Sequence, residues 1–278
     1  MSVIVFTIII LIGSYFAGLL GSLTGLGGGF VIIPLLTLLL HVDIHYAIGA
    51  SLVSVIATSS GSAAAFVKEG ITNLRLGMFL EIATTAGAMC GAILATHIST
   101  HYIAILFGVI LICSALLSLK DKTEKIIREK SYLAEKLKLN SRYPGNGGTV
   151  EYSVTRVGGG FLMMIFAGII SGLLGIGSGA LKVIAMDTVM RIPFKVSTTT
   201  SNFMIGVTAA ASAVVYFQRG YIDPALSMPI VIGVLAGAFS GSKILVNSTS
   251  SKGLRYIFAI VISVLAVQMI YHGISGKI

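Results

Sequence analysis

Charge is scarce in this chain of 278 residues. Lysine, arginine, aspartate and glutamate make up 10% of it and hydrophobic residues make up 55%, with a mean hydropathy of +0.98. Ordinary soluble domains are roughly a quarter charged. The few charges are also concentrated within residues 120–156. The remaining charges cannot cover the surface of a soluble globular domain, so the sequence predicts an all-α polytopic membrane protein.

Cysteine and targeting signals are also sparse. Cys90 and Cys113 lie in apolar stretches without metal-ligand spacing, so we expect small buried residues and neither a disulfide nor a metal site. Met1–Val5 has no basic residue and Ile4–Leu23 ends without an Ala-x-Ala site, so the first apolar segment is expected to remain in the mature protein. The net charge of +9 indicates the positive-inside bias of a membrane protein and not nucleic-acid binding.

What the chain does contain is an internal repeat. A shift of 150 positions aligns its two halves without a gap. The residues that match are mostly glycines and hydroxyl residues, whereas chance in an apolar chain would match Leu, Ile and Val. We therefore expect a first transmembrane repeat at 1–119, a charged linker at 120–156 and a second transmembrane repeat at 157–278.

Each repeat holds five apolar segments, which are expected to be helices. The second segment of each, at 26–40 and 178–190, opens with glycines and is short for a bilayer that needs about 20 residues, so it is a candidate broken or re-entrant helix. If all five segments cross, the repeats have inverted topology and 16 of the 19 Lys and Arg residues lie on the linker side. Re-entrant segments would leave 12 there. This count favours five crossings in each repeat, with both termini outside and the linker cytoplasmic.

The linker has a pattern of its own. Lys120–Arg142 carries opposite charges at helical spacing beside apolar residues, which predicts an amphipathic cytoplasmic helix lying on the membrane. The run Pro144–Gly148 then breaks it. A solvated connection between the repeats is favoured over a regulatory element.

The strongest motif is a duplicated glycine cluster, Gly25–Phe30 (GLGGGF) and Gly175–Ala180 (GIGSGA). Glycines permit positive φ and leave backbone N–H groups uncovered, so a helix that starts there can receive an anion. Close helix packing is the alternative, and it explains other pairs such as Gly87/Gly91 and Gly237/Gly241. A Rossmann or P-loop site is excluded because no strand precedes the glycines and no Lys-Ser/Thr follows them. The candidate anion-binding positions are Gly27, Gly28, Gly29, Gly177, Ser178 and Gly179.

These motifs resemble those of the TauE/SafE sulfite-exporter family, also called the toluene-sulfonate uptake permease family. The resemblance rests on Gly25–Pro34, Ser171–Met186, Val196–Ser212 and Arg219–Pro224, and it covers nearly the whole chain outside the linker. It implies a bacterial or archaeal inner-membrane permease for small anions that often contain sulfur. One departure is Ile184, where the family pattern often has proline, as the first repeat has at Pro34.

Three charged residues lie inside apolar segments. Lys182 follows the second glycine cluster, and a lysine at mid-membrane costs roughly 2.5–3.5 kcal/mol, so it needs a compensating partner. We favour contact with a substrate anion, while an acid on another helix and snorkelling to the interface stay open. Asp187 is placed to pair with Arg191. Glu81 is a candidate proton carrier, although an interface ion pair with Arg75 is favoured.

Neutral donors accompany this lysine in the sequence. Ser51 and Ser201 occupy equivalent positions in the two repeats, and Asn202 follows the second of them. Hydroxyls and amides can donate to an oxyanion without adding charge. Interhelical hydrogen bonding is their alternative role. Thr58 and Thr208 lie two turns further on and are candidates to line the same path.

Together these features predict a secondary transporter that moves sulfite, an organosulfonate or a related small anion by alternating access. A divalent-metal permease that uses His41, Asp43 and His45 is one alternative, although the repeat does not preserve these residues. An anion channel is another. No cofactor, resident metal or catalytic constellation is expected. The expected partners are the anion, a coupling proton or sodium ion and the lipid bilayer, for a monomer or homodimer.

Overall fold

The structure is a computed structural model that describes residues 3–24, 27–119, 131–145, 148–247 and 252–276. Six of the helices in these ranges are long and apolar enough to cross a membrane. Large apolar side chains such as Ile12, Ile82, Phe166 and Phe239 are exposed on the outside of the bundle. The chain is thus an all-α polytopic membrane protein, as the composition predicts, with one small hairpin added.

The helices follow the apolar segments closely. The first repeat contains α1 (Val3–Thr24), α2 (Gly29–Pro34) with a π-helical turn (Leu35–Leu39), α3 (Ile44–Lys68), α4 (Leu74–Ala95) and α5 (Thr100–Leu119). The linker forms α6 (Tyr132–Lys136), β1 (Ser141–Gly145) and β2 (Gly148–Tyr152). The second repeat contains α7 (Val157–Leu174), α8 (Gly179–Ile184) with a π-helical turn (Ala185–Val189), α9 (Phe194–Gln218), α10 (Pro224–Asn247) and α11 (Lys252–Ile274).

The 150-residue shift found in the sequence also relates elements of the fold. Helices α2 and α3 begin and end 150 positions before α8 and α9, and the π-helical turns do the same. The loops after these turns repeat as well, because His41 (φ 52°) and Arg191 (φ 57°) both adopt the left-handed conformation. The orientation of the two halves relative to the membrane stays a prediction.

The second helix of each repeat is short and begins directly after its glycine cluster. Each α-helical part has 6 residues and each π-helical turn has 5. At 1.5 Å per residue this gives roughly 16 Å, about half of the ~30 Å hydrocarbon core. Neither helix can cross a bilayer alone. Proline does not cause the π-helical turn, because the turn follows Ile184 in the second repeat as it follows Pro34 in the first.

The helices of each half pack mainly on helices of the other half. The first helix of each repeat packs on the fourth helix of the other, α1 on α10 and α7 on α4, while α3 packs on α9 and α5 on α11. Glycines allow these close approaches. A Cβ added at Gly87 would lie 2.3 Å from the carbonyl oxygen of Ile165, and one at Gly237 would lie 1.9 Å from that of Tyr15. The two contacts are equivalent, because a shift of 150 positions takes Gly87 to Gly237 and Tyr15 to Ile165. They account for the close helix packing expected at these glycine pairs.

The linker differs from its prediction. In the described residues only Tyr132–Lys136 of the expected Lys120–Arg142 helix is helical, and 120–130 lie outside them. Ser141–Gly145 pairs antiparallel with Gly148–Tyr152, so Pro144, Gly145 and Gly148 of the run that was expected only to break the helix belong to two paired strands. Tyr143 and Tyr152 are buried in a cluster that also contains Leu76 of α4 and Val196 of α9, so this part is a cap that packs through one face while most of its other residues are exposed.

Asn73 fastens this cap to the membrane helices. Its side-chain oxygen accepts from the backbone N–H of Leu76 (3.0 Å) and so caps α4, while Nδ2 donates to the Leu139 carbonyl and the Tyr152 hydroxyl, both at 2.9 Å. Its backbone N–H donates to Thr200 Oγ1 on α9 (3.1 Å). Burial raises the pKa of Tyr152 to about 12, so the phenol stays neutral at physiological pH.

Replacing Asn73 by alanine is expected to destabilise the protein by about 1–3 kcal/mol, because the cap is lost and two buried groups lose their donor. Thermal unfolding of the purified protein in detergent measures the effect. Asn73→Ser keeps a capping oxygen and loses the Nδ2 donor without adding a charge, so it should fall between the wild type and Asn73→Ala. Wild-type unfolding of Asn73→Ala would show that this anchor does not hold the cap.

Both cysteines are free and exposed, so the expectation that they are buried is wrong. Cys90 on α4 and Cys113 on α5 lie on the outward faces of their helices, where a thiol behaves as a small apolar group against lipid. Apolar flanking sequence alone does not distinguish this face from the interior.

Candidate functional site

The two glycine clusters lie against each other. A Cβ added at Gly29 would lie 3.2 Å from the Gly175 carbonyl oxygen, and the Ser51 hydroxyl donates to that same oxygen at 2.9 Å. The side chain of Val55 on α3 approaches both Gly27 and Gly177. The clusters therefore meet beside the crossing of α3 and α9. Gly25 and Leu26, which open the first motif, lie outside the described residues.

The second cluster has the more unusual backbone. Gly175, Gly177 and Ser178 are all left-handed, with φ of 66°, 70° and 44°. In the first cluster Gly27 is left-handed (φ 83°), whereas Gly28 has an ordinary helical φ of −74°. Ser178 therefore adopts a backbone conformation that is favourable for glycine and strained for a residue with a side chain. Such a conformation persists only where the surrounding structure imposes it.

The two serines at equivalent positions of the repeats both bond to the second glycine cluster. Each hydroxyl has one hydrogen to donate. Ser51 donates it to the Gly175 carbonyl and Ser201 donates it to the Gly179 carbonyl at 3.2 Å. In this conformation the hydroxyl hydrogen of each serine is already bonded to a backbone carbonyl. Their predicted role as neutral donors to an anion would require that bond to be exchanged.

A buried polar cluster of three residues, Glu81, Lys182 and Thr208, lies between α4, α8 and α9. Lys182 is fully buried, and its ammonium donates to Thr208 Oγ1. The threonine hydroxyl lies 2.5 Å from Glu81 Oε1, within donor range, and Glu81 Oε2 lies 3.9 Å from Lys182 Nζ. Glu81 is 7% exposed. The threonine hydroxyl therefore bridges a buried cation and a buried carboxylate.

This cluster shows that the expected pairing of Glu81 is wrong, and it identifies the acid partner of Lys182. Glu81 does not pair with Arg75, which is exposed and donates to the Lys138 carbonyl at 3.3 Å. The acid partner of Lys182 lies on another helix, which was one of the alternatives for that residue. Sequence reasoning missed the pairing because nothing in one sequence shows that α4 packs on α9, beside Lys182 of α8. The equivalent of Lys182 in the first repeat is Ile32, so this cluster occurs in one half only.

Three buried polar atoms near the second glycine cluster have no hydrogen-bond partner among the described residues: Ser178 Oγ, Asn202 Nδ2 and Glu81 Oε2. Ser178 immediately precedes α8, and Asn202 follows the serine that bonds to the first residue of that helix. Most buried polar groups in proteins are paired. Ser178 Oγ and Asn202 Nδ2 can each donate a hydrogen bond to an anion near the start of α8, whereas Glu81 Oε2 is an acceptor.

Glu81 also lines a groove of about 520 Å³ between α4 and α9. Its walls are formed mainly by apolar side chains from both helices: Met78, Ile82, Ala86, Met89, Phe203 and Val207. Thr85 lies in the same groove and donates to Glu81 Oε1 at 3.2 Å. The carboxylate is therefore the charged element of a surface that is otherwise apolar.

The residues considered for metal binding have local structural roles. Asp43 Oδ1 accepts from the backbone N–H of His45 at 2.8 Å, and the Asp43 carbonyl accepts from Ala47, so Asp43 immediately precedes α3 and bonds to its first turn. The His45 ring lies 3.2 Å from the same carboxylate oxygen and stacks on Tyr221. Within the described ranges no group of three His, Cys, Asp or Glu residues is arranged to hold a metal ion.

Comparisons with known proteins place this arrangement in a family. The sequence model described as "Sulfite exporter TauE/SafE" matches residues 10–269. The chain belongs to this family. As a TauE/SafE protein with six long apolar helices, it is a multi-pass membrane transporter.

Relatives of this TauE/SafE chain carry similar descriptions. It is 31% identical over 277 residues to "Probable membrane transporter protein YunE" of Bacillus subtilis (strain 168), covering 97% of this chain and 98% of the relative. It is 27% identical over 235 residues to "Probable membrane transporter protein YdhB" of the same organism, covering 84% and 89%. An archaeal relative, "Probable membrane transporter protein MJ0441" of Methanocaldococcus jannaschii, is 23% identical over 277 residues. No solved structure matches the chain.

Proposed function

We propose that this protein is a secondary transporter that moves a small sulfur-containing anion, such as sulfite or an organosulfonate, across the bacterial inner membrane by alternating access. The observation that carries the proposal is Lys182, a fully buried cation directly after the glycine cluster that precedes α8. The family description supports the substrate class. The linker lies on the cytoplasmic side in this proposal, as the distribution of basic residues favours.

The contacts of Lys182 favour a binding role over a purely structural ion pair. An ammonium group has three hydrogens to donate. Among the described residues Nζ has one hydrogen-bond acceptor, Thr208, while the nearest oxygen of Glu81 is 3.9 Å away. A well-formed charge-assisted hydrogen bond measures about 2.7–2.9 Å. The cation is thus only partly satisfied by the protein, and an oxyanion is a suitable further acceptor.

The glycine clusters support the transport mechanism. The half-length helices α2 and α8 begin where the two clusters meet, and the two halves of the chain pack through equivalent contacts. Transporters built from inverted repeats hold substrates at broken helices between the repeats, and they rock one half against the other. Two half-length helices at a shared crossing suit that motion.

Binding is tested by the thermal stability of the purified protein in the presence of sulfite, thiosulfate, methanesulfonate, acetate and divalent metals. A ligand at 100 times its Kd should stabilise the fold by about 2.7 kcal/mol. We expect stabilisation by the sulfur oxyanions only. Stabilisation by a divalent metal alone would instead favour a metal permease.

Carrier and channel are separated by counterflow. Vesicles that contain the protein are loaded with unlabelled methanesulfonate and diluted into a trace of labelled methanesulfonate. A carrier transiently accumulates the label above its outside concentration, because the outward flux of unlabelled anion returns binding sites to the outer face. A channel only equilibrates it. Simple equilibration would overturn the alternating-access proposal while leaving anion permeation intact.

A further inference from the structure

The cluster of Glu81, Thr208 and Lys182 has the parts of a proton-binding site. The carboxylate is almost fully buried, its Oε2 has no hydrogen-bond partner in the described structure, and a lysine ammonium lies 3.9 Å from that oxygen. We propose that Glu81 is the coupling residue of this transporter and that it takes up one proton for each monovalent anion bound at Lys182. This inference rests on the proposed function and names its coupling ion.

The charge balance of the site favours this coupling. Ionised Glu81 and protonated Lys182 together carry no net charge. An anion that approaches the ammonium is repelled by the carboxylate beside it. When a proton adds to Glu81 Oε2, the carboxylate becomes a neutral acid and the ammonium is left without a counter-charge. The anion then replaces it, so the loaded site, containing the neutral acid, the ammonium and the anion, again has no net charge.

The Thr208 hydroxyl can serve both protonation states. It has one hydrogen and two acceptor positions. Two acceptors lie within its reach, Glu81 Oε1 at 2.5 Å and the Met204 carbonyl at 3.0 Å. With Glu81 ionised, the hydroxyl donates to the carboxylate. With Glu81 protonated on Oε2, Oε1 is still an acceptor, so the hydroxyl can keep its bond to Oε1 or donate to the Met204 carbonyl instead. Lys182 keeps its bond to the hydroxyl oxygen in both states.

Other titratable groups on the neighbouring elements lie further along the chain from this cluster, with Asp187 five residues after Lys182. Glu81 lies on α4, which packs on α7 and α9, and it faces Lys182 on α8. The described titratable side chains of these elements and of the π-helical turn after α8, apart from the pair itself, are Arg75, Cys90, Asp187, Lys195 and Tyr216. Arg75 and Cys90 are six and nine residues from Glu81, roughly 9 and 14 Å along the helix. Lys195 and Tyr216 are roughly 20 and 12 Å along α9 from Thr208. Lys182 is the charged group that the described structure brings within ion-pair distance.

The test is methanesulfonate affinity as a function of pH. A sulfonate stays a monoanion from acid to neutral pH, so any change in affinity belongs to the protein. Linkage of one proton to one anion lowers the affinity of the wild type about tenfold per pH unit above the titration range of the site. In Glu81→Gln, which carries a neutral group permanently, we expect affinity to vary less than about twofold over the same range. Glu69→Gln, at an exposed carboxylate, is the matched control and should keep the wild-type slope.

An infrared measurement on the wild-type protein tests the proposal even if Glu81→Gln does not fold. Infrared difference spectra of the wild type with and without methanesulfonate should show the carbonyl stretch of a protonated carboxylic acid, shifted by ¹³C-glutamate labelling. Every other glutamate lies outside the apolar segments, at positions 69, 124, 129, 135 and 151. The band should be missing in Glu81→Gln and present in Glu69→Gln.

The outcomes separate the two proposals. Methanesulfonate binding with a flat pH profile and no carboxylic-acid band would overturn proton coupling and leave anion transport standing. A wild-type slope in Glu81→Gln would assign the proton to another group. If neither methanesulfonate nor sulfite binds the folded wild type at any pH, the anion-transport proposal itself fails, and the coupling proposal fails with it.

Discussion

Replacing Lys182 by methionine is expected to reduce methanesulfonate transport to the level of empty vesicles and to destabilise the protein by about 3–5 kcal/mol. Methionine keeps the length and apolar stem of the side chain but removes the charge. Glu81 then remains as a buried acid without its cation, and Thr208 loses a donor. The measurements are counterflow in proteoliposomes and thermal unfolding in detergent.

The double variant Glu81→Gln/Lys182→Met separates stability from transport. With both charges removed, no unpaired ion stays buried, so most of the lost stability should return. Transport should not return, because the proposed anion contact is still absent. Lys68→Met is the matched control, since this lysine is exposed at the end of α3 and should affect neither measurement.

Two results would contradict this account of Lys182. Wild-type counterflow by Lys182→Met would remove the residue from the transport path and leave it a structural partner of Glu81. Restored transport in the double variant would show that Lys182 only neutralises the carboxylate. Either result would leave Ser178 and Asn202, whose side chains carry unpaired donors in the described structure, as the candidate anion contacts.

Local features of the fold were predictable because they depend on neighbouring residues. The helices follow the apolar segments, and α2 and α8 begin at the glycine clusters that the sequence singles out. The hairpin at Ser141–Tyr152 was missed because its stability comes from burial of Tyr143 and Tyr152 on distant helices. Charge spacing in Lys120–Arg142 describes a helix in isolation and carries no information about that packing surface.

The candidate site was predictable residue by residue but not as an arrangement. Lys182 stood out because a lysine in an apolar segment needs compensation. Its partners, Glu81 and Thr208, lie 101 and 26 positions away in the chain. Glu81 was assigned to Arg75 because the two are near in sequence, whereas the helix places them toward different surroundings, one buried and one exposed. Only the packing of α4 on α9 brings the carboxylate to the lysine.

The seams between the halves give the last large prediction. Gly87→Ala and Gly237→Ala are each expected to destabilise the protein by about 1–3 kcal/mol or more, because the new methyl group would meet a backbone carbonyl that cannot rotate away. The two positions are equivalent in the repeats and contact equivalent residues, Ile165 and Tyr15, so their effects on thermal unfolding should be similar. Gly61→Ala is the control.

Gly61 lies inside α3, and in the described part of the chain no atom lies within 4 Å of an added Cβ. Alanine there should be neutral or stabilise the protein by up to about 1 kcal/mol, because it is the better helix former. A loss at Gly61 equal to that at Gly87 would mean that general glycine replacement, and not the seam, is responsible. A large loss at Gly87 with none at Gly237 would mean that the α4–α7 and α1–α10 seams are not energetically equivalent. Equal losses at both would support a structure in which two matching interfaces hold the halves together around Lys182 and the glycine loops.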